Sequence, residues 1–312
     1  MLRYILKRLG IGLLTIWFIA TATFVAMHMV PGDPLSTERG MTPAIRANLE
    51  RQYGLDRPVF DQYLLYMGNM LKGDFGLAFS EENRSVNDII REHFPVSATL
   101  GVLSLLFATV GGVLWGALTA LYRNRMPDAI IMFLVILGIS VPSFVFAGLS
   151  QLLLLNLNQW AGRSLMPVAG WDGFRSMVVP ALVLGMSTMA YMVRLMRSSM
   201  LEVADTDYIR TARAKGLSAT RIFFNHQLRN AVLPVVTVLG PAIAIITTGG
   251  FVVESVFAIP GLGRYFVQAV AQLDYTVIMG TTVFFGAFLV LMVIAVDILY
   301  GFIDPRIRLG AA

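Results

Sequence analysis

Apolar residues gather along this chain into six long blocks, near Leu9–Val30, Val96–Leu121, Ala129–Leu155, Met177–Met196, Ala231–Val253 and Thr276–Phe302. An α-helix needs about 20 apolar residues to cross the hydrocarbon of a bilayer. The pattern therefore predicts an all-α integral membrane protein with six transmembrane helices. The fifth block is interrupted by Pro234, Gly240, Pro241, Gly249 and Gly250, and the third by a break from Gly138 to Pro142. In a membrane, such breaks survive where protein or an aqueous cavity covers the freed backbone. Gly138, Pro142, Gly240, Pro241 and Gly249 are accordingly candidates for lining a translocation pathway, with packing kinks against neighbouring helices as the other reading.

One polar stretch, residues 199–234, separates the fourth and fifth blocks. It carries Arg210, Arg213, Lys215, Arg221 and Arg229 against Glu202, Asp205 and Asp207, so hydrocarbon cannot hold it. Tyr208, Ala212 and the stem of Lys215 recur at i, i+4 and i+7, which predicts a helix over Thr206–Lys215 with these three on one face. Gly216 supplies the left-handed residue that ends a helix, and Ser218 can cap a second one beginning at Ala219. Ile222, Phe223 and His226 make that second helix amphipathic. The expected product is two short rods joined at a glycine corner, a shape that transmits a push to whatever it is seated in.

The long polar segment 31–95 has helical grammar of its own. Thr42 and Pro43 open a helix with Ile45, Leu49 and Tyr53 along one stripe, stopped by Gly54. Pro58 opens a second, with Phe60, Tyr63, Leu64, Met67 and Leu71 apolar, ending at Gly73. Ser85 with Asp88 resembles a capping box for a third, ended by Pro95. The expected layout is 1–30 for the N-terminal end and first span, 31–95 for a small helical insert, 96–302 for a five-helix core containing the loop 199–230, and 303–312 for a tail. Trp160, Trp171 and Phe174 suit interfacial anchoring, and Glu254 and Arg264 are placed to pair across the PGLGRYF turn.

Composition adds exclusions. With 56% apolar and 14% charged residues in 312, the chain is no ordinary soluble domain. Net charge is +5, but the cations flank apolar blocks and form no nucleic-acid stripe. The side shared by both termini and the 199–234 stretch carries fourteen Lys or Arg and five acids; the other carries ten and thirteen. Short loops rich in Arg stay in the cytoplasm, while long segments cross regardless of charge. Both termini and the elbow are thus expected inside. There is no Cys, and His28, His93 and His226 lack ligand spacing, which fits packing or capping roles. The first apolar block follows Arg3, Lys7 and Arg8, and at about 22 residues it suits an uncleaved span better than a signal peptide.

Several stretches resemble one family. Small residues, Gly216, and Leu228 twelve positions on are similar to the cytoplasmic EAA loop of ATP-binding-cassette (ABC) importer permeases. YIRTARAKGLS, LRNAVLPVVT, PGLGRYF, DPRIR, MVPGDP, GDFG at Gly73–Gly76 and SVNDII resemble its peptide branch, and in particular the B-type membrane subunit of an oligopeptide importer. Arg210, Thr211 and Ala212 fill the Glu-Ala-Ala slots and Arg229 stands where Pro is usual, departures that the peptide branch shares. The resemblance implies the type I importer permease fold, in the cytoplasmic membrane of a prokaryote. It implies an ATPase-coupling loop built on Glu202, Asp207, Tyr208, Arg210, Ala212, Ala214, Lys215, Gly216 and Leu217. The partners it implies are a second, homologous six-helix permease, two ABC ATPase subunits holding the ATP and Mg, an extracytoplasmic substrate-binding protein, and a peptide substrate. Dipeptides, glutathione and nickel are the related cargoes.

The chain itself lacks the means to use ATP. Its lysines, Lys7, Lys72 and Lys215, are followed by Arg, Gly and Gly, so none completes a Walker loop; HExxH and a Ser nucleophile elbow are absent too. No cofactor or metal site is expected in it, and it is not expected to be an enzyme. Asp297 is the one carboxylate deep in an apolar block, where burial costs several kcal/mol. One reading makes it a proton relay in a self-contained ion-coupled transporter. In the other it is structural, about 10 Å of helix from Asp304 at the exit, or paired with Arg194 or Arg197.

Overall fold

The computed structural model describes the backbone of residues 2–31, 54–81, 84–248 and 250–303, with isolated residues at 47, 50 and 51. Apart from one isolated bridge between Leu77 and Ser85, the described residues are helices and turns. They are α1 (Leu2–Met29), α2 (Val59–Leu71), α3 (Val86–Leu121), α4 (Met126–Ser140), α5 (Ser143–Ala161), α6 (Phe174–Ala204), α7 (Asp207–Ala214), α8 (Ala219–Ile222), α9 (Phe223–Leu228, π-helical), α10 (Arg229–Ala231), α11 (Leu233–Thr248), α12 (Phe251–Val256), α13 (Leu262–Gln272) and α14 (Tyr275–Ile303). They divide into two compact units, Met1–Ser97 with Pro260–Ala312, and Ala98–Ile259.

Among the described residues, four helices are long and apolar enough to cross a membrane, over Leu6–Met29, Val86–Leu121, Phe174–Ala204 and Tyr275–Val296. The third apolar block is two helices, α4 and α5, bent by 111°; taken as one span they make a fifth. The cause is Pro142, which drives the residue before it out of the helical region: Val141 sits at φ −88°, ψ 125°. The fifth block yields the shorter apolar helix Leu233–Ile243 within α11, with Pro241 inside it. Six uninterrupted spans are therefore not what the described residues form.

In the first unit α1 and α14 pack antiparallel. Phe24 meets Tyr275 and Met279, Ala20 meets Val283, and Gly12 faces Val290. α2 lies against α1, with Tyr63 and Tyr66 around the Phe24 ring at centroid distances of 5.3 and 6.2 Å. Pro95 does not end the third insert helix as expected; α3 runs through it from Val86. A mid-helix proline forfeits one backbone bond, and the surroundings compensate. Phe94 packs edge-on against Phe284 and Phe288 at 4.8 and 5.0 Å, and Ser97 Oγ accepts the amide of Leu262 at 2.9 Å. Ser85 caps α3 through the Asn87 amide at 3.1 Å, not through an exchange with Asp88.

Two features of this unit escaped the sequence reading. Asp274, fully buried, caps α14 and clasps the chain after the GDFG turn. Its Oδ2 accepts from the Phe79 and Ser80 amides and Ser80 Oγ, all at 2.8 Å, and its Oδ1 from Thr276 Oγ1 at 2.9 Å and the Val277 amide at 3.1 Å. Asn87 of SVNDII clasps the same turn, donating to the Gly73 carbonyl and accepting the Phe75 amide. Nearby, Arg84 donates to Glu81, Glu92 and Tyr265. His93 stacks on Tyr265 at 4.2 Å and binds the Pro260 carbonyl through Nδ1 at 2.8 Å. A carbonyl only accepts, so Nδ1 carries the ring proton and Nε2 accepts from Arg84. The packing role expected for His93 is the one it has.

In the second unit the core is a close crossing of α3 and α6. Ser104, Ala108, Gly112 and Gly116 recur every fourth residue on α3. A Cβ on Gly112 would run into Met192, and one on Gly116 would lie 2.8 Å from the Val193 carbonyl. Small residues at this spacing let two backbones approach, which is how helices associate where lipid removes the hydrophobic drive. Met192, Met196 and Met200 of α6 fill the seam together with Ala231 and Val235. Glu254, expected from the sequence to pair across the PGLGRYF turn, is buried on α12.

Candidate functional site

The elbow forms, and its corner follows from local rules. α7 ends at Ala214, with Lys215 as C-cap and Gly216 at φ +73°. The Gly216 amide donates to the Arg213 carbonyl at 2.9 Å and the Leu217 amide to the Ala212 carbonyl at 3.3 Å. That pair of reversed bonds is a Schellman cap, and the apolar contact that accompanies it is present as Leu217 on Ala212. Ser218 then caps α8 by accepting the Arg221 amide at 3.4 Å. Two helices thus end and begin within four residues, each terminus satisfied locally.

The buried face differs from the expected one by a single position. Ile209, Ala212 and Ile222 form the inner contact, with Val203 and Leu217 packed on them. Tyr208, placed by the sequence on that face, is 43% exposed. Its hydroxyl accepts from Asn230 Nδ2 at 3.1 Å, and the same amide group donates to the His226 carbonyl at 2.8 Å. Tyr208 therefore ties the first rod to the end of the second, a role invisible to a face count because its partner lies 22 residues on. The Lys215 stem is exposed as well.

The outer face of α7 is ordered by charge. Asp207 occupies the first turn and Arg213 the last, each where the helix dipole favours its sign. Arg210 pairs with Asp207 at 3.4 Å, both largely exposed, so the bond contributes little and leaves both groups accessible. Glu202, Ala214 and Gly216 are also at the surface, and nothing lies within 4 Å of where a Gly216 Cβ would stand. Behind the elbow is a cleft of about 430 Å³ lined by Met200, Arg213, Leu217, Phe223 and Gln227 among others. Beyond α8 the chain widens into the π-helical turn Phe223–Leu228, which sequence reasoning did not anticipate; such turns concentrate at functional positions.

The pathway candidates separate. Gly138 is buried against α6: a Cβ there would lie 3.4 Å from Ala190 and Met186, and Ser187 Oγ donates to its carbonyl at 3.2 Å. Pro142 is exposed at the α4–α5 bend, while Gly240 is buried and Pro241 exposed on α11; Gly249 lies outside the described residues. Asp297 lies on α14, with its side chain outside the described set. Arg197, one of the two cations considered for it, is taken by Asp128, which receives Arg197 Nε at 2.9 Å and an Nη at 2.8 Å, and the Asn124 amide at 3.0 Å. Among the described residues no His, Asp and Glu cluster could hold a metal ion.

Apolar helices long enough to span a bilayer, with a polar, locally capped elbow between two of the apolar blocks, mark a polytopic membrane protein. Residues 112–309 match the family described as "Binding-protein-dependent transport system inner membrane component", and residues 1–101 match its N-terminal companion. The chain belongs to this family and is an inner-membrane permease component of an ABC transporter. It is 46% identical over 310 residues to the dipeptide transport system permease protein DppB of Bacillus subtilis, covering 99% of each chain. To the oligopeptide transport system permease protein OppB of Haemophilus influenzae it is 43% identical, covering 99% of this chain and 100% of that one. Among solved structures, the inward-facing MetNI methionine ABC transporter matches 69% of this chain and 94% of its own, with a TM-score of 0.53 at 18% identity; this supports the type I permease fold alone.

Proposed function

We propose that this chain is one of two membrane permease subunits of an ATP-driven importer of oligopeptides, forming half of the translocation pathway and coupling to separate ATPases through the loop 199–230. The observation that carries the coupling is the corner at Gly216, where two capped rods present an exposed, charged outer face over a firmly packed inner one. In this mechanism the elbows of the two permeases seat in clefts of an ATPase dimer. ATP-driven closure draws the elbows together, and the rods pass the motion to α6 and α11. Glu202, Asp207, Tyr208, Arg210, Ala214 and Lys215 would meet or position the ATPase; Ala212 and Leu217 hold the corner from within. ATP and Mg stay with the partner subunits, and an extracytoplasmic binding protein delivers the peptide. The positive-inside pattern supports a cytoplasmic position for both termini.

Relatives named for dipeptide transport and for oligopeptide transport stand at 46% and 43% identity, so dipeptides are a second reading. Uptake of a labelled series from dipeptide to hexapeptide, in a permease-null strain carrying this chain and its partner subunits, separates the two. Uptake rising beyond two residues supports oligopeptides; uptake confined to dipeptides selects the second reading; uptake of neither rejects both.

A further inference from the structure

α2 carries one wide apolar arc. Tyr63, Met67 and Met70 on one side of it pack on the protein, while Phe60, Leu64 and Leu71 on the adjoining side are exposed by 68%, 52% and 84%. An exposed apolar stripe of this kind faces lipid or another protein, and the position of α2 decides between them. Tyr63 Oη lies 2.8 Å from Thr21 Oγ1, and Met67 packs with Ala20 and Val283. Ala20 is about 13 Å of helix axis short of the end of α1 at Met29, and Val283 about 12 Å inside α14. Both lie within the apolar windows Leu6–Met29 and Tyr275–Val296, and only 17% of the first window is buried. The outward stripe of α2 therefore continues the lipid-facing surface of α1, where Phe18 and Val25 are also exposed. Charges sit only near the ends of α2, at Asp61 and Lys72.

We propose that α2 is an interfacial membrane helix that presses Phe60, Leu64 and Leu71 into the acyl chains of the leaflet bordering the C-terminal end of α1. The protein holds two polar groups near the start of the helix: Gln62 bridges His28 to the Leu55 and Arg57 carbonyls, and Tyr63 holds Thr21. Interfacial helices sink about 5–10 Å into the headgroup and acyl boundary, and the Met67–Ala20 contact sets the middle of α2 at least that deep. The segment between the first two spans is on this reading anchored in lipid, not a free-standing cap.

The chain has no cysteine, so single nitroxide labels can be placed at Phe60→Cys, Leu64→Cys and Leu71→Cys, with Arg91→Cys as an exposed polar control, in the assembled importer in liposomes. The proposal expects collisions with oxygen to exceed those with a water-soluble nickel chelate at 60, 64 and 71, and the reverse at 91. Nickel collisions dominating at all four positions would show that the stripe faces water. Shielding from both reagents would show that a protein covers it. Either result overturns the proposal. Should labelling disturb assembly, Leu64→Trp in bilayers of brominated lipid gives the same answer: fluorescence quenched relative to the parent supports it, and unchanged fluorescence overturns it.

Discussion

Replacing Gly216 tests whether the corner works by conformation. Its φ of +73° lies in the left-handed region, and no atom stands within 4 Å of the Cβ that a substitution would add. A new side chain therefore meets no clash within the chain, and the cost is that of the backbone alone. For an L-residue it is about 1–2 kcal/mol, with Ala near the low end and β-branched Val at or above the high end; Asn tolerates this region best after Gly. A 2 kcal/mol penalty shifts the ratio of cornered to open elbows about thirtyfold, and opening releases both reversed hydrogen bonds and the Leu217–Ala212 contact. Peptide uptake per ATP hydrolysed, measured in liposomes with the complete complex, should stay near the parent for Gly216→Asn, fall for Gly216→Ala and collapse for Gly216→Val while hydrolysis continues. Equal ratios for all four proteins would refute the corner as the coupling element. Asn failing as badly as Val would refute the conformational explanation and show instead that the partner needs the empty space.

Substitutions at three further contacts probe the scaffold. Asp274→Asn puts an amide donor against groups that Asp274 now accepts from, and should cost about 3 kcal/mol, read as a lowered unfolding midpoint in detergent; an unchanged midpoint would mean that the clasp carries no stability. Asp128→Ala strands Arg197 and should cost about 3 kcal/mol, with part recovered in the Asp128→Ala, Arg197→Met double variant; an equal loss in the double would show that the pair is not what the single variant breaks. Gly112→Val drives a branched side chain into Met192 across the α3–α6 seam and should destabilise by about 1–3 kcal/mol, whereas Gly148→Val, with nothing within 4 Å, should be near neutral by the same thermal scan.

The elbow was legible because its signals are local. A glycine ends one rod and a serine caps the next within three residues, and both did so. Tyr208 was misplaced because its partner Asn230 is remote in sequence, and three candidate face positions could not separate a stripe through Tyr208 from one through Ile209. The α4–α5 break was marked by Pro142, but the 111° bend needed the geometry of Val141. Pro95 misled in the opposite direction: a local stop signal was overridden by Phe94 and Ser97 packing at long range. Asp274 carried no pattern at all, since an acid before a helix is common and its other ligands come from a loop about 195 residues upstream. The Ser104–Gly116 ladder went unread in the sequence, because only the contact of Gly112 and Gly116 with Met192 and Val193 gives the spacing a partner.

The central claim is that this chain moves its cargo on energy supplied by another subunit. The decisive measurement is peptide accumulation in liposomes holding either the complete complex or this chain alone. The account predicts accumulation only with the complete complex, the binding protein and ATP, and none from this chain under a proton or sodium gradient. Accumulation by the isolated chain on a gradient would contradict it and return Asp297 to the centre of the mechanism.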